Sequence, residues 1–138
     1  MIVMKFGGTS MGNAERIGNV ANIIKSYIKK KPVVVVSAVT KVTDALIRLA
    51  KECAAGKGNS TLEQIKKVHN EILKYLDMNK DLLKNDFEEL SDLAIKTKSG
   101  RHLNAKTLDY FQSFGERMSS KIVVEQLNKM DIKAQAFN

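Results

Sequence analysis

Residues 1–10 read MIVMKFGGTS. Ile2, Val3, Met4 and Phe6 make an apolar run broken by one lysine, Lys5, and Gly7, Gly8, Thr9 and Ser10 follow before a long helical pattern begins. A strand, a glycine turn and a helix start together form a ready anion site. Glycine lets the backbone come close to a ligand, and the N–H groups at a helix start point towards negative charge. Lys5 adds a mobile cation at the end of the strand, and the chemistry suggested is phosphate handling. The spacing is not that of a P-loop, nor is it GxGxxG. Taken alone, KFGGTS is equally a surface turn with a solvated lysine.

Working outward, Asn13 to Lys30 reads as a helix with Ile17, Val20, Ala21, Ile24 and Ile28 on one stripe and Lys25, Lys29 and Lys30 off it. Pro32 forbids its continuation. Val33 to Val36 is a β-branched run, the pattern of a strand covered on both faces. Strand, helix, strand is a βαβ unit, which implies a parallel pair. SAVTKVTDAL follows the second strand at 37–46, and Thr43 or a neighbour is placed to cap the next helix. Ligands in open α/β sheets bind beyond the carboxyl ends of the strands. KFGGTS and SAVTKVT both occupy such positions and are expected side by side.

A helix is expected from Val42 to Ala55, ended by Gly56-Lys57-Gly58-Asn59. Ser60 with Glu63 reads as a capping box for a helix carrying Leu62, Ile65, His69, Ile72 and Leu76 on one face. His69 on that stripe reads as a packed histidine rather than a catalyst. Asp81 to about Lys98 gives a further helix, and the pair looks like an antiparallel helical excursion at about 60–100. After a break at Ser99–His102, helical pattern resumes near Asn104, is interrupted at SFGERMSS, and returns over Ser119–Asn128. Gly115 in mid-pattern needs a reason: close packing, a kink or backbone approach to a ligand. Glu116 is either a surface carboxylate paired with a cation or one aimed at a site mouth. Asp131 to Phe137 reads as a third strand.

The 138 residues suffice for one domain with a core, and 43% of them are apolar. The single cysteine, Cys53, allows no internal disulfide, and Cys53, His69 and His102 are too scattered to suggest a metal cluster. No apolar run approaches a membrane span and no signal-peptide layout is visible, so a cytoplasmic location is the expectation. The net charge of +8 is spread along helices among acidic residues, and there is no Trp to stack on bases. Solvated helix faces account for it, and neither a nucleic-acid nor a membrane partner is expected.

Three segments together resemble the aspartate kinases of the amino-acid kinase family: KFGGTS at 5–10, VVVVSAVTKVTDAL at 33–46 and SFGERMSS at 113–120. The resemblance runs the length of the chain. It implies an α/β fold of three αβα layers with a mainly parallel sheet, here incomplete. The implied reaction is transfer of the γ-phosphoryl group of ATP to the β-carboxylate of L-aspartate, with Mg2+, at the head of lysine, threonine and methionine synthesis. Lys5 matches the lysine that neutralises the transferring phosphoryl group. Phe6, Gly7, Gly8, Thr9 and Ser10 match the phosphate-binding segment, while Ser37, Thr43 and Glu116 match aspartate-binding positions. Met11 stands where a smaller apolar residue is more usual. Val39-Thr40-Lys41 stands where many relatives carry a glycine, which implies a different loop path. By this resemblance residues 1–138 are the N-terminal, amino-acid-substrate portion of such a kinase. The nucleotide-binding half and the ACT regulatory domains are expected outside them, and the portion alone is expected to be inactive. The complete enzyme is expected to be a homo-oligomer. A kinase of another small carboxylate, or a non-catalytic basic binding module, is the alternative.

Overall fold

The computed structural model describes residues 1–137. Strand β1 (Val3–Phe6) leads through helix α1 (Ala14–Ser26) and a 3-10 turn (Ile28–Lys30) to strand β2 (Val33–Val36). The strands pair in parallel, Val3 beside Val33 through Phe6 beside Val36, as the βαβ pattern requires. Helices α2 (Val42–Ala54), α3 (Asn59–Tyr75), α4 (Lys84–Gly100) and α5 (Ala105–Lys129) follow. The result is an α/β fold with one parallel pair and an incomplete αβα layering.

Asn13 caps α1 by accepting a hydrogen bond from the Arg16 N–H at 2.9 Å, and Asn104 caps α5 by accepting from Thr107 N–H at 2.8 Å. The core joins Ile17, Val20 and Ile24 of α1, Leu46 and Leu49 of α2, and Phe111, Phe114, Met118 and Ile122 of α5, all buried. The long α5 lies against α1, α2, α4 and β2. Helices α3 and α4 form the excursion at about 60–100. Each packs on α2, and they meet where His69 and Phe87 touch edge to face.

Five expectations are corrected. The valine strand is covered on one face only: Val33 and Val35 are 50% and 47% exposed, beside Val3 at 71%. A β-branched run reports strand propensity, and here the second cover is absent among the described residues. The expected interruption at SFGERMSS is absent, and α5 runs unbroken through it. Ser60 caps nothing, because α3 begins at Asn59 behind Gly58, whose φ of +117° ends the turn from α2. Thr43 does not cap α2, which starts behind Lys41 in a left-handed conformation with no side-chain cap. Residues 132–137 form no third strand. They alternate half-buried and exposed as a strand would, but the sheet is two-stranded, and Ala134 N–H bonds Asn128 Oδ1 at 3.2 Å instead.

Candidate functional site

The loops after β1 and β2 lie side by side at the carboxyl ends of the strands. Ser37 N–H donates to Phe6 O at 2.9 Å, extending the pairing by one residue. The Thr40 hydroxyl donates to Gly8 O at 2.9 Å, and Thr40 N–H reaches Met11 O at 3.4 Å. Val39 and Ala38 are buried beneath this junction. Thr40 therefore binds the two loops together.

The hydrogen-bond polarity of the first loop is one-sided. Met11 N–H donates to Gly7 O at 3.2 Å and to Gly8 O at 3.1 Å, and Gly12 N–H donates to Thr9 O at 3.3 Å. The Arg16 guanidinium donates to Thr9 O at 2.9 Å. Three successive carbonyls thus have partners. Among the described residues the N–H groups of Gly7, Gly8, Thr9 and Ser10 donate to nothing. Free amides in a row next to a helix start make an anion-binding concavity. Gly7, Gly8 and Thr9 are exposed and Ser10 is half-buried.

Glu116 reaches this end of the molecule on α5. Ser119, one turn later, is fully buried and donates its hydroxyl to Ser37 O at 2.8 Å and to Glu116 O at 3.1 Å. Gly115 explains the close approach, since a Cβ there would stand 2.7 Å from Ala38 Cβ. Close packing is therefore the reason for that glycine. Glu116 itself is exposed and forms no ion pair among the described residues. Thr43 is exposed in the first turn of α2.

Lys5 stands apart. Strand alternation puts it with Val3 on the open face of the sheet, whereas Phe6 faces the helices. Its ammonium forms no ion pair among the described residues, and it must pass the end of the strand to meet the glycine loop. Two sizeable grooves, about 770 Å3 between α4 and α5 and about 460 Å3 beside β2, include none of Lys5, Gly7, Gly8, Thr9 or Glu116 in their walls. The candidate site is an open ledge rather than a cavity.

Behind Glu116, α5 is anchored by charge. The fully buried Asp86 accepts from Arg117 Nε at 2.7 Å and from Lys121 Nζ at 2.7 Å. Arg117 also pairs with Glu89, which accepts from the Tyr110 hydroxyl at 2.5 Å. The hydrogen bond from Arg117, then that from Tyr110, holds the Glu89 carboxyl down at about 2, and the Glu89 bond raises the Arg117 and Tyr110 values. His69 is fully buried with its Nδ1 2.7 Å from Ile65 O and its Nε2 unpartnered. Burial lowers its pKa, opposed by the Ile65 carbonyl and by Asp86. It is a neutral packed histidine far from the loops in role. Sequence reading missed Arg16, which lies in no motif, and did not single out Thr40 and Ser119 within SAVTKVT and SFGERMSS, because all three act through backbone carbonyls.

Known proteins resemble this chain along its length. Residues 1–138 match the model of the amino acid kinase family. Aspartokinase 1, chloroplastic, of Arabidopsis thaliana is 35% identical over 99% of this chain, and the chain spans 25% of that protein's length. Lysine-sensitive aspartokinase 3 of Escherichia coli (strain K12) is 29% identical over the whole chain, which spans 31% of it. The crystal structure of E. coli aspartokinase III with aspartate and ADP in the R-state superposes with a TM-score of 0.82 at 27% identity, over 99% of this chain and 31% of that one.

Proposed function

Since the chain belongs to the amino acid kinase family, we propose that residues 1–138 are the amino-acid-substrate portion of an aspartate kinase, which transfers the γ-phosphoryl group of ATP to the β-carboxylate of L-aspartate. The observation that carries this reading is the row of free amides from Gly7 to Ser10 above engaged carbonyls. The likeness to a structure of aspartokinase III with aspartate and ADP supports the choice of substrates. The adenine pocket, the ACT domains and the contacts of a homo-oligomer belong to the rest of such a protein.

Phosphoryl transfer needs positioning and charge neutralisation more than covalent help from the protein. The amides of Gly7, Gly8, Thr9 and Ser10 receive the terminal phosphate oxygens. Lys5 swings past the strand end and neutralises the transferring group. Ser37 and Thr43 supply hydroxyls beside the carboxylate acceptor, and Glu116, which pairs with no cation among the described residues, takes the substrate ammonium. Phe6 closes the base of the loop from the buried side. Mg2+ would enter with the nucleotide, neutralising phosphate charge as the family's reaction implies. Among the described residues no helix is long and apolar enough to cross a membrane.

The test is ATP-dependent formation of aspartyl phosphate, trapped as the hydroxamate, by the full-length protein that carries this chain. Turnover with aspartate that collapses in Lys5→Ala while the fold is kept supports the reading. Activity on glutamate but not aspartate would reassign the substrate, and unchanged turnover in Lys5→Ala would remove the role of the loop.

A further inference from the structure

A loop of two adjacent glycines is a poor holder of fixed amides. Glycine peptides rotate at little steric cost. A rotated peptide would turn a carbonyl where an amide should be and repel the anion. The backbone bonds that oppose rotation here are weak: one Met11 N–H is shared by Gly7 O and Gly8 O at 3.2 and 3.1 Å, and Gly12 N–H reaches Thr9 O only at 3.3 Å. The two side-chain bonds are shorter, each 2.9 Å: Thr40 Oγ1 to Gly8 O and Arg16 to Thr9 O.

The three partners converge on one point. A Cβ at Gly12 would stand 3.1 Å from Thr9 O, 3.3 Å from Thr40 Oγ1 and 3.4 Å from Arg16 Cδ. Gly12 therefore leaves room for the junction to close. Arg16 is itself held, because its backbone N–H is the donor to the Asn13 cap. Thr40 is held by the loop after β2, whose Val39 and Val42 are buried on either side.

We propose that Thr40 and Arg16 are positioning residues of the phosphate site: by engaging the carbonyls of Gly8 and Thr9 they keep the Thr9 and Ser10 amides, which share those peptide planes, turned outward for the phosphate groups of the nucleotide. The proposal rests on the phosphate reading of the loop.

Calorimetric titration of the full-length protein that carries this chain with inorganic pyrophosphate and, separately, with L-aspartate at fixed ionic strength tests it. Thr40→Val keeps shape and charge and removes the donor. The expected result is pyrophosphate affinity lower by about 3- to 10-fold, the size of one hydrogen bond, with aspartate affinity unchanged and 15N relaxation showing new motion at the Thr9 amide. Thr40→Ser restores the affinity. Arg16→Met weakens pyrophosphate binding and Arg16→Lys recovers most of it. Unchanged pyrophosphate affinity in both Thr40→Val and Arg16→Met overturns the clamp alone, as does an equal loss for both ligands, which marks general loosening. Failure of the unsubstituted full-length protein to bind pyrophosphate sinks the phosphate reading and the proposal with it.

Discussion

Glu116 and Arg117 are neighbours on α5, and the regions they enter are opposites. Arg117 joins a cluster in which every charge is answered: Asp86 by Arg117 and Lys121, Glu89 by Arg117 and Tyr110, with the guanidinium 4.7 Å above the Phe114 ring. Glu116 faces the glycine loop's end of the molecule, where the amides of Gly7 to Ser10 donate to nothing among the described residues and its own carboxylate has no cation. Both regions are polar. What separates them is the count of partners: the answered cluster holds α4 to α5, and the unanswered one is the region proposed to bind ligand. The adjacency matters, because Arg117 fixes the helix on which Glu116 rides.

If the cluster is the holding region, breaking it has the largest effect on stability. Asp86→Ala leaves two cations facing a void and is expected to cost about 3–5 kcal/mol in urea unfolding; a loss under about 1 kcal/mol would make the cluster a surface ornament. Next comes the seam between the regions. Gly115→Ala drives a methyl into Ala38 and is expected to cost about 1–3 kcal/mol, and stability equal to the parent would show that α5 is not tight against the loop after β2.

A smaller effect separates the holding region by pH. Burial keeps the folded pKa of His69 below its ordinary 6.5, so as pH falls below 6.5 the unfolded chain takes up the proton first. Stability then declines, by at most about 1.4 kcal/mol per pH unit, until the lowered folded value is passed. His69→Phe should flatten the urea midpoint against pH in that window, and an unaltered slope would mean another group titrates there. The smallest change in stability belongs to the binding region. Glu116→Gln is expected within about 0.5 kcal/mol of the parent while aspartate affinity drops at least about tenfold; a large stability loss would put Glu116 in the holding region instead.

The strand pair and helices α1 to α4 were legible because their stripes and breakers are local, Pro32 and Gly58 among them. The continuity of α5 was not: Gly115 costs helix propensity locally, and only its fit against Ala38, far away in sequence, offsets that. The open sheet face was hidden because Val33–Val36 reports strand and says nothing of how many layers cover it. Residues 132–137 carry the alternation of a strand, yet no ladder forms there, since alternation specifies faces and not a pairing partner. Within the site, KFGGTS and Glu116 stood out as residue types. Thr40 and Ser119 did not, because their bonds to Gly8 O and Ser37 O span 32 and 82 residues and leave no periodic trace.

The central claim is that the outward amides of Gly7 to Ser10, Lys5 and Glu116 serve one reacting centre, although Lys5 leaves the sheet on its open face. A crystal of the full-length protein with L-aspartate and a nonhydrolysable ATP analogue tests it directly. The account predicts terminal phosphate oxygens within hydrogen-bond distance of the Gly7–Ser10 amides and of Lys5 Nζ, and the aspartate ammonium on Glu116. Phosphates bound elsewhere, or a Lys5 side chain that stays on the open face with both ligands in place, would contradict it.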